Sequence, residues 1–237
     1  MGRGPSIAAR KGAEDARRGK LFTKFIREIT VAARTGGGDP RSNPRLRLVL
    51  EKAFAANMPK DTAERAIKRG TGELGADHFE EVRYEGYGPG GVAIMVDCMT
   101  DNPTRTVADV RHAFSKHGGN LGASGAVAYL FSQVGQIYLE TRGDPALEEK
   151  VLETALEAGA DDVLNEDGYT EVLTAPDALE RVKKSLEGLG LPLLQADVTM
   201  RPATTVTVSG EQAEMVNKLI DALEDLDDVQ KVYSNLA

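Results

Sequence analysis

Apolar residues recur every three to four positions through the first 70 residues and every second position along much of the remainder. The stretch RRGKLFTKFIREITVAAR (17–34) sets the first pattern. At about 100° per residue, Phe22, Phe25, Ile26, Ile29 and Ala33 share one side of a helix. Lys20, Lys24, Arg27 and Arg34 share the opposite side. TGGGDPRSNP (35–44) carries the Gly, Asp, Asn and Pro of a loop. A second helix is predicted with Leu46, Val49, Leu50, Ala53 and Phe54 inward, stopping at Asn57-Met58-Pro59. A third runs from Asp61 to Arg69 with Ala63, Ala66 and Ile67 inward and Gly70 placed to end it. TGELGAD (71–77) reads as a linker.

The period then becomes two. VRYEGYG (82–88) and GVAIMVDCM (91–99) flank Pro89-Gly90, which predicts a hairpin. A helix opens at Asn102-Pro103 and ends at Gly118-Gly119, and AVAYLF (126–131) reads as another strand. From 134 the order is strand, helix (145–158), two strands, helix (176–188) and strand, a complete βαββαβ unit of ferredoxin-like type. Strand 204–209, helix 210–226 and strand 229–234 make only half such a unit. The expected fold is therefore α+β: a helical bundle over 1–75, a discontinuous α/β domain over 80–132 plus 203–237, and a ferredoxin-like domain over 134–200 inserted in it.

Charge changes this picture most. Residues 1–70 hold 17 Lys and Arg against 7 Asp and Glu, a net +10. Residues 71–237 hold 12 against 30, a net −18, which gives the whole chain its −8. A stripe of one sign along several helices suits an anionic partner, because each phosphate contact releases counterions. The candidate contacts are Arg10, Lys11, Arg17, Arg18, Lys20, Lys24, Arg27, Arg34, Arg45, Arg47, Lys60, Arg65, Lys68 and Arg69. Phe22, Phe25 and Phe54 are expected to face inward, which favours backbone contact over base stacking.

Catalytic chemistry has little support. One cysteine, Cys98, excludes an internal disulfide and fits a reducing cytoplasm. His78, His112 and His117 stand in no metal-binding spacing, and no nucleophile elbow or zinc-protease motif occurs. No apolar run approaches the ~20 residues of a membrane span. GGNLGASG (118–125) runs from helix into strand, the reverse of a dinucleotide fingerprint. Its Gly118, Gly119, Asn120 and Gly122 are a candidate contact loop, where bare backbone could approach RNA or protein. No catalytic residue, metal or cofactor is expected.

These residues resemble the YebC/PmpR family of transcriptional regulators, whose mitochondrial relatives are translational activators. The resemblance runs through Gly19-Lys20, Phe22-Thr23-Lys24, Arg27-Glu28-Ile29, Gly37-Gly38-Asp39-Pro40, Asn43-Pro44-Arg45-Leu46, Asn57-Met58-Pro59-Lys60-Asp61 and Glu64-Arg65-Ala66-Ile67. It continues at Tyr84-Glu85-Gly86, Pro89-Gly90-Gly91, Asp101-Asn102 and Gly118-Gly119-Asn120-Leu121-Gly122. Many members begin Gly-His-Ser-Lys-Trp where this chain has Gly4-Pro5-Ser6-Ile7-Ala8, so no role of that His or Trp carries over. The resemblance implies a cytoplasmic, non-enzymatic regulator binding DNA. The alternative it implies is a ribosome-associated translation factor gripping rRNA through the same basic helices.

Overall fold

A computed structural model describes residues 7–75 and 78–237, with side chains from Gly19 onward. The chain forms two compact units, one of residues up to 128 together with 206–237 and one of residues 129–205.

The first unit opens with three helices, α1 (Ile7–Gly36), α2 (Pro44–Ala55) and α3 (Lys60–Thr71). Their shared core is Ile29, Ala32, Leu46, Val49, Leu50, Ala53, Met58, Ala63 and Ala66, with Phe22, Phe25, Ile26 and Ile67 packed at its edge. Asn43 sets the corner between α1 and α2. Its side chain caps α2 by accepting from the Leu46 amide at 3.1 Å. Its Nδ2 donates to the carbonyls of Ala32 and Gly37, both at 2.8 Å, closing the end of α1. Gly70 does not end α3. It lets α3 approach α1 closely, since a Cβ there would lie 2.3 Å from the Thr30 carbonyl and 2.8 Å from Ala33 Cβ. The left-handed Gly72 (φ 87°) terminates the helix.

The same unit continues with β1 (Glu80–Tyr87), β2 (Ala93–Thr100), α4 (Pro103–Lys116) and the short β3 (Asn120–Leu121), and it resumes with α7 (Gly210–Glu224) and β8 (Val229–Ser234). The sheet order is β3-β1-β2-β8, all antiparallel. Val92, Ile94, Val96 and Cys98 alternate toward α4 and α7, where they meet Val110, Phe114, Val216, Leu219 and Leu223. Burial in this core pushes the Cys98 thiol up to about 12, so it stays protonated.

Two expected strands are not strands. Residues 126–131 make bends and a single 3₁₀ turn (Ala128–Leu130) before the next strand begins at Phe131. The reason is Glu85, 3 % exposed, whose carboxylate accepts from the amides of Gly125, Val127 and Ala128. Those N–H groups are satisfied by a side chain instead of a ladder. Segment 204–209 makes only one bridge, Val206 to Leu236.

The second unit holds β4 (Phe131–Glu140), α5 (Pro145–Glu157), β5 (Asp162–Glu166), β6 (Tyr169–Thr174), α6 (Leu179–Glu187) and β7 (Leu193–Pro202). The antiparallel order β5-β6-β4-β7 is that of the ferredoxin-like fold. Ile137, Leu139 and Val172 point to the helix-covered face beside Val151, Val182 and Leu186.

Candidate nucleic-acid interface

The cationic stripe of α1 has partners within its own unit. Its Lys and Arg side chains reach the corner where α7 leads into β8. Lys24 Nζ donates to the Glu224 carbonyl at 2.6 Å, and Lys20 Nζ donates to the Asp225 carbonyl at 3.3 Å and pairs with the Asp225 carboxylate. Both carbonyls belong to the end of α7, where the helix dipole concentrates partial negative charge. Burial of Lys24 holds its ammonium below the ordinary lysine range despite nearby Glu224 and Asp225.

Arg27 is placed deeper. It donates to Asp228 Oδ1 at 2.6 Å and to the Met99 carbonyl at 2.7 Å, and its guanidinium lies 5.0 Å from the Phe79 ring centre. Its side chain is only 12 % exposed and that of Asp228 only 7 %. Asp228 also accepts from Arg105 at 2.9 Å and from Thr106 Oγ1 at 2.8 Å. Burial alone would raise the Asp228 carboxyl, but Arg27, Arg105 and Thr106 together hold it below the usual carboxylate range. Arg34 donates to the Phe79 carbonyl at 2.6 Å. An open cavity of about 540 Å³ lies beside this corner, lined by Lys20, Arg27, Asp101, Arg105, Asp225 and Asp228 among others.

This arrangement gives one predicted contact residue a different setting. Arg27 joins α1 to the sheet, its side chain largely enclosed and its Nη1 donating to Asp228 and the Met99 carbonyl. Lys20, Lys24 and Arg34 have also found acceptors inside the unit. Arg45 bridges Glu28 at 3.0 Å and Glu81 at 2.7 Å, and Arg47 donates to the Pro40 carbonyl at 2.7 Å. Much of the predicted stripe therefore stitches the bundle to the acidic sheet.

Helix α3 presents a different surface. Lys60, Arg65, Lys68 and Arg69 are all exposed. The side chains of the first three make no hydrogen bond or ion pair among the described residues. The side chains of Arg10, Lys11, Arg17 and Arg18 lie outside the described residues, although α1 runs through their positions. Phe54, expected inward, is 41 % exposed at the end of α2 and adds an aromatic ring to the bundle surface. The chain turns away after it at Asn57 (φ 64°), which leaves the ring partly open to solvent.

In the 118–125 loop, Gly118 (φ 73°) and Gly119 close α4, the Gly119 amide donating to the Phe114 carbonyl at 2.8 Å. Asn120 pairs with Tyr87 in β3, and Gly122 donates to the Glu85 carbonyl. Gly118, Asn120, Gly122 and the residues through Gly125 are exposed, while Gly119 is half-buried. Glu85 organises this loop from beneath. Burial would raise its carboxyl, but the three amide donors keep it below the ordinary range. Sequence pattern alone singles out neither Glu85 nor Asp228 as a residue that builds this site. An isolated Glu in a strand and one Asp of an acidic pair carry no pattern that separates them from solvated carboxylates.

Among the described residues, no three His, Cys, Asp or Glu side chains converge as metal ligands, and no helix is long and apolar enough to cross a membrane.

Comparison with known proteins places the chain. Residues 4–73 match the model of the TACO1/YebC protein N-terminal domain, and residues 79–236 match that of the TACO1/YebC second and third domain. A "probable transcriptional regulatory protein" of Thiobacillus denitrificans is 60 % identical over 97 % of this chain and 95 % of its own. One of Xanthomonas euvesicatoria is 58 % identical over 100 % of this chain and 97 % of its own. The crystal structure of a conserved hypothetical protein from Aquifex aeolicus aligns with a TM-score of 0.83 at 53 % identity, covering 94 % of this chain and 91 % of that one. With both domain models matched in order across nearly its whole length, the chain belongs to the TACO1/YebC family.

Proposed function

We propose that this protein is a transcriptional regulator that acts by binding duplex DNA through its helical bundle, without catalysis. The observation that carries the reading is the exposed cationic surface of α3, where the side chains of Lys60, Arg65 and Lys68 have no partner among the described residues. It stands on a segment of net +10 in an otherwise acidic chain. The names of the relatives agree with a regulatory role.

The contact surface is narrower than the charge pattern alone suggests. Arg27 is enclosed, and Arg45 and Arg47 are tied to Glu28, Glu81 and the Pro40 carbonyl, so α2 has few cations left to offer. Phosphate contact therefore centres on α3, with the basic start of α1 as a further contributor. Contacts of this kind fix position on a duplex and carry no base information themselves.

The test replaces Lys60, Arg65 and Lys68 with Glu in the full-length chain and measures binding to a 20-base-pair duplex by fluorescence anisotropy across a salt series. Affinity should fall more than tenfold. The slope of log K against log salt should shrink by about three, roughly 0.9 per lost phosphate contact. Unchanged affinity and slope would refute the assignment to α3. Co-sedimentation with ribosomes in the absence of any duplex binding would transfer the same surface to ribosomal RNA and overturn the transcriptional reading.

A further inference from the structure

The ferredoxin-like unit leaves one face of its sheet uncovered by its own elements. Gly135, Ile137 and Leu139 face α5 and α6, since a Cβ at Gly135 would lie 3.1 Å from Leu179 Cβ. The alternate residues of β4 face the other way, and the strand register carries this face across the sheet. Tyr138 stands opposite Glu171 and Gln195, Glu140 opposite Tyr169, and Gln136 opposite Leu173 and Asp197. Farther out, Leu164 pairs with Glu171 and Glu166 with Tyr169.

The chemistry of this face is aromatic and acidic together. Tyr169 is 48 % exposed and Leu164 40 %, both large side chains left open to solvent. Glu171, at the centre, is held in place by Arg201 at 2.6 Å, by the Tyr138 hydroxyl at 3.0 Å and by the Gln136 amide. Glu140, Asp162, Glu166 and Asp197 lie around it on the same face. The unit as a whole, residues 129–205, has 15 Asp and Glu against 6 Lys and Arg, a net −9.

A four-stranded sheet carrying exposed aromatics is elsewhere a platform for stacking RNA bases. Sign decides against that here, because Arg201 is taken up by Glu171 and a phosphate backbone laid across this face would otherwise meet carboxylates. We infer that the open sheet face is a docking surface for a Lys- and Arg-rich segment of a partner protein. The carboxylates would pair with its cations, Tyr169 would offer its ring to a guanidinium, and Leu164 would receive the aliphatic stems. The site is independent of the basic bundle and of the nucleic acid proposed for it.

The probe is a fluorescein-labelled dodecapeptide, four repeats of Arg-Lys-Gly, titrated with the full-length protein at physiological salt. Two charge-matched variants separate a built surface from long-range attraction: D162K/E166K on the sheet face and E149K/E153K on the exposed side of α5. All four positions are exposed, so folding should survive in both, as far-ultraviolet circular dichroism would check. The sheet-face pair should weaken binding at least tenfold and the helix pair no more than about twofold, with Y169A losing about threefold. Equal losses in the two pairs, or no binding by the wild-type chain, would overturn the proposal. So would tight binding of a uridine dodecamer that Y169A abolishes, which would make the face a base-stacking platform after all.

Discussion

Replacing Arg27 by Ala tests whether the basic stripe of α1 is an assembly device. The perturbation removes two hydrogen bonds, to Asp228 at 2.6 Å and to the Met99 carbonyl at 2.7 Å, and a cation–π contact with Phe79. Stranding a buried carboxylate entirely costs about 3–5 kcal/mol. Asp228 keeps Arg105 and Thr106, so its charge is not orphaned. The expected loss is therefore nearer that of one charge-assisted hydrogen bond plus the ring contact, about 2–3 kcal/mol. Lys20→Ala, which removes an exposed pair, should cost no more than about 0.5–1 kcal/mol. Urea unfolding followed by circular dichroism measures both. The Asp228 carboxyl titrates below its unfolded value, so the stability it contributes is present above about pH 4 and lost as pH falls through the depressed folded value. The gap between wild type and R27A should accordingly close under acid. An R27A variant within about 0.5 kcal/mol of wild type at neutral pH would refute the reasoning, because an enclosed ion pair cannot be that cheap to break.

Three further substitutions probe the fold that carries these surfaces. Gly70→Ala should destabilise by at least ~2 kcal/mol, since the methyl would sit 2.3 Å from the Thr30 carbonyl and force α3 off α1; a thermal melt reads it, and tolerance would contradict the close helix approach. Asn43→Ala removes the α2 cap and leaves the Ala32 and Gly37 carbonyls without their Nδ2 donor, for an expected ~2 kcal/mol in urea. Glu85→Gln weakens the acceptor for three amides, so hydrogen exchange at Gly125, Val127 and Ala128 should accelerate at least tenfold while the helical core stays protected.

The periodic elements were legible because their cores are simple. The strand at 229–234 has the bounds that its alternation indicates, and the hairpin turns at Pro89–Gly91 where Pro-Gly marks it. One misread segment turns on a long-range partner that a local pattern does not contain. AVAYLF has the composition of a strand, but the Glu85 carboxylate, some forty residues earlier, takes its amides. Phe54 follows the apolar rows of α2 in sequence, yet the helix ends one residue later and leaves the ring exposed. The charge pattern shows the same limit at larger scale. A run of like charge announces an anionic partner, and the sequence offers two kinds, phosphate outside the molecule and carboxylates or helix-end carbonyls within it. Lys20, Lys24, Arg27 and Arg34 have the second kind, whereas Lys60, Arg65 and Lys68 have none inside the described chain. The basic segment thus divides into a stripe that joins the bundle to the acidic sheet and a face whose Lys60, Arg65 and Lys68 are unpaired among the described residues. That division explains how strongly opposed charges coexist in one chain: the excess on each side is partly neutralised by the other, while Lys60, Arg65 and Lys68 of α3 pair with no acid among the described residues.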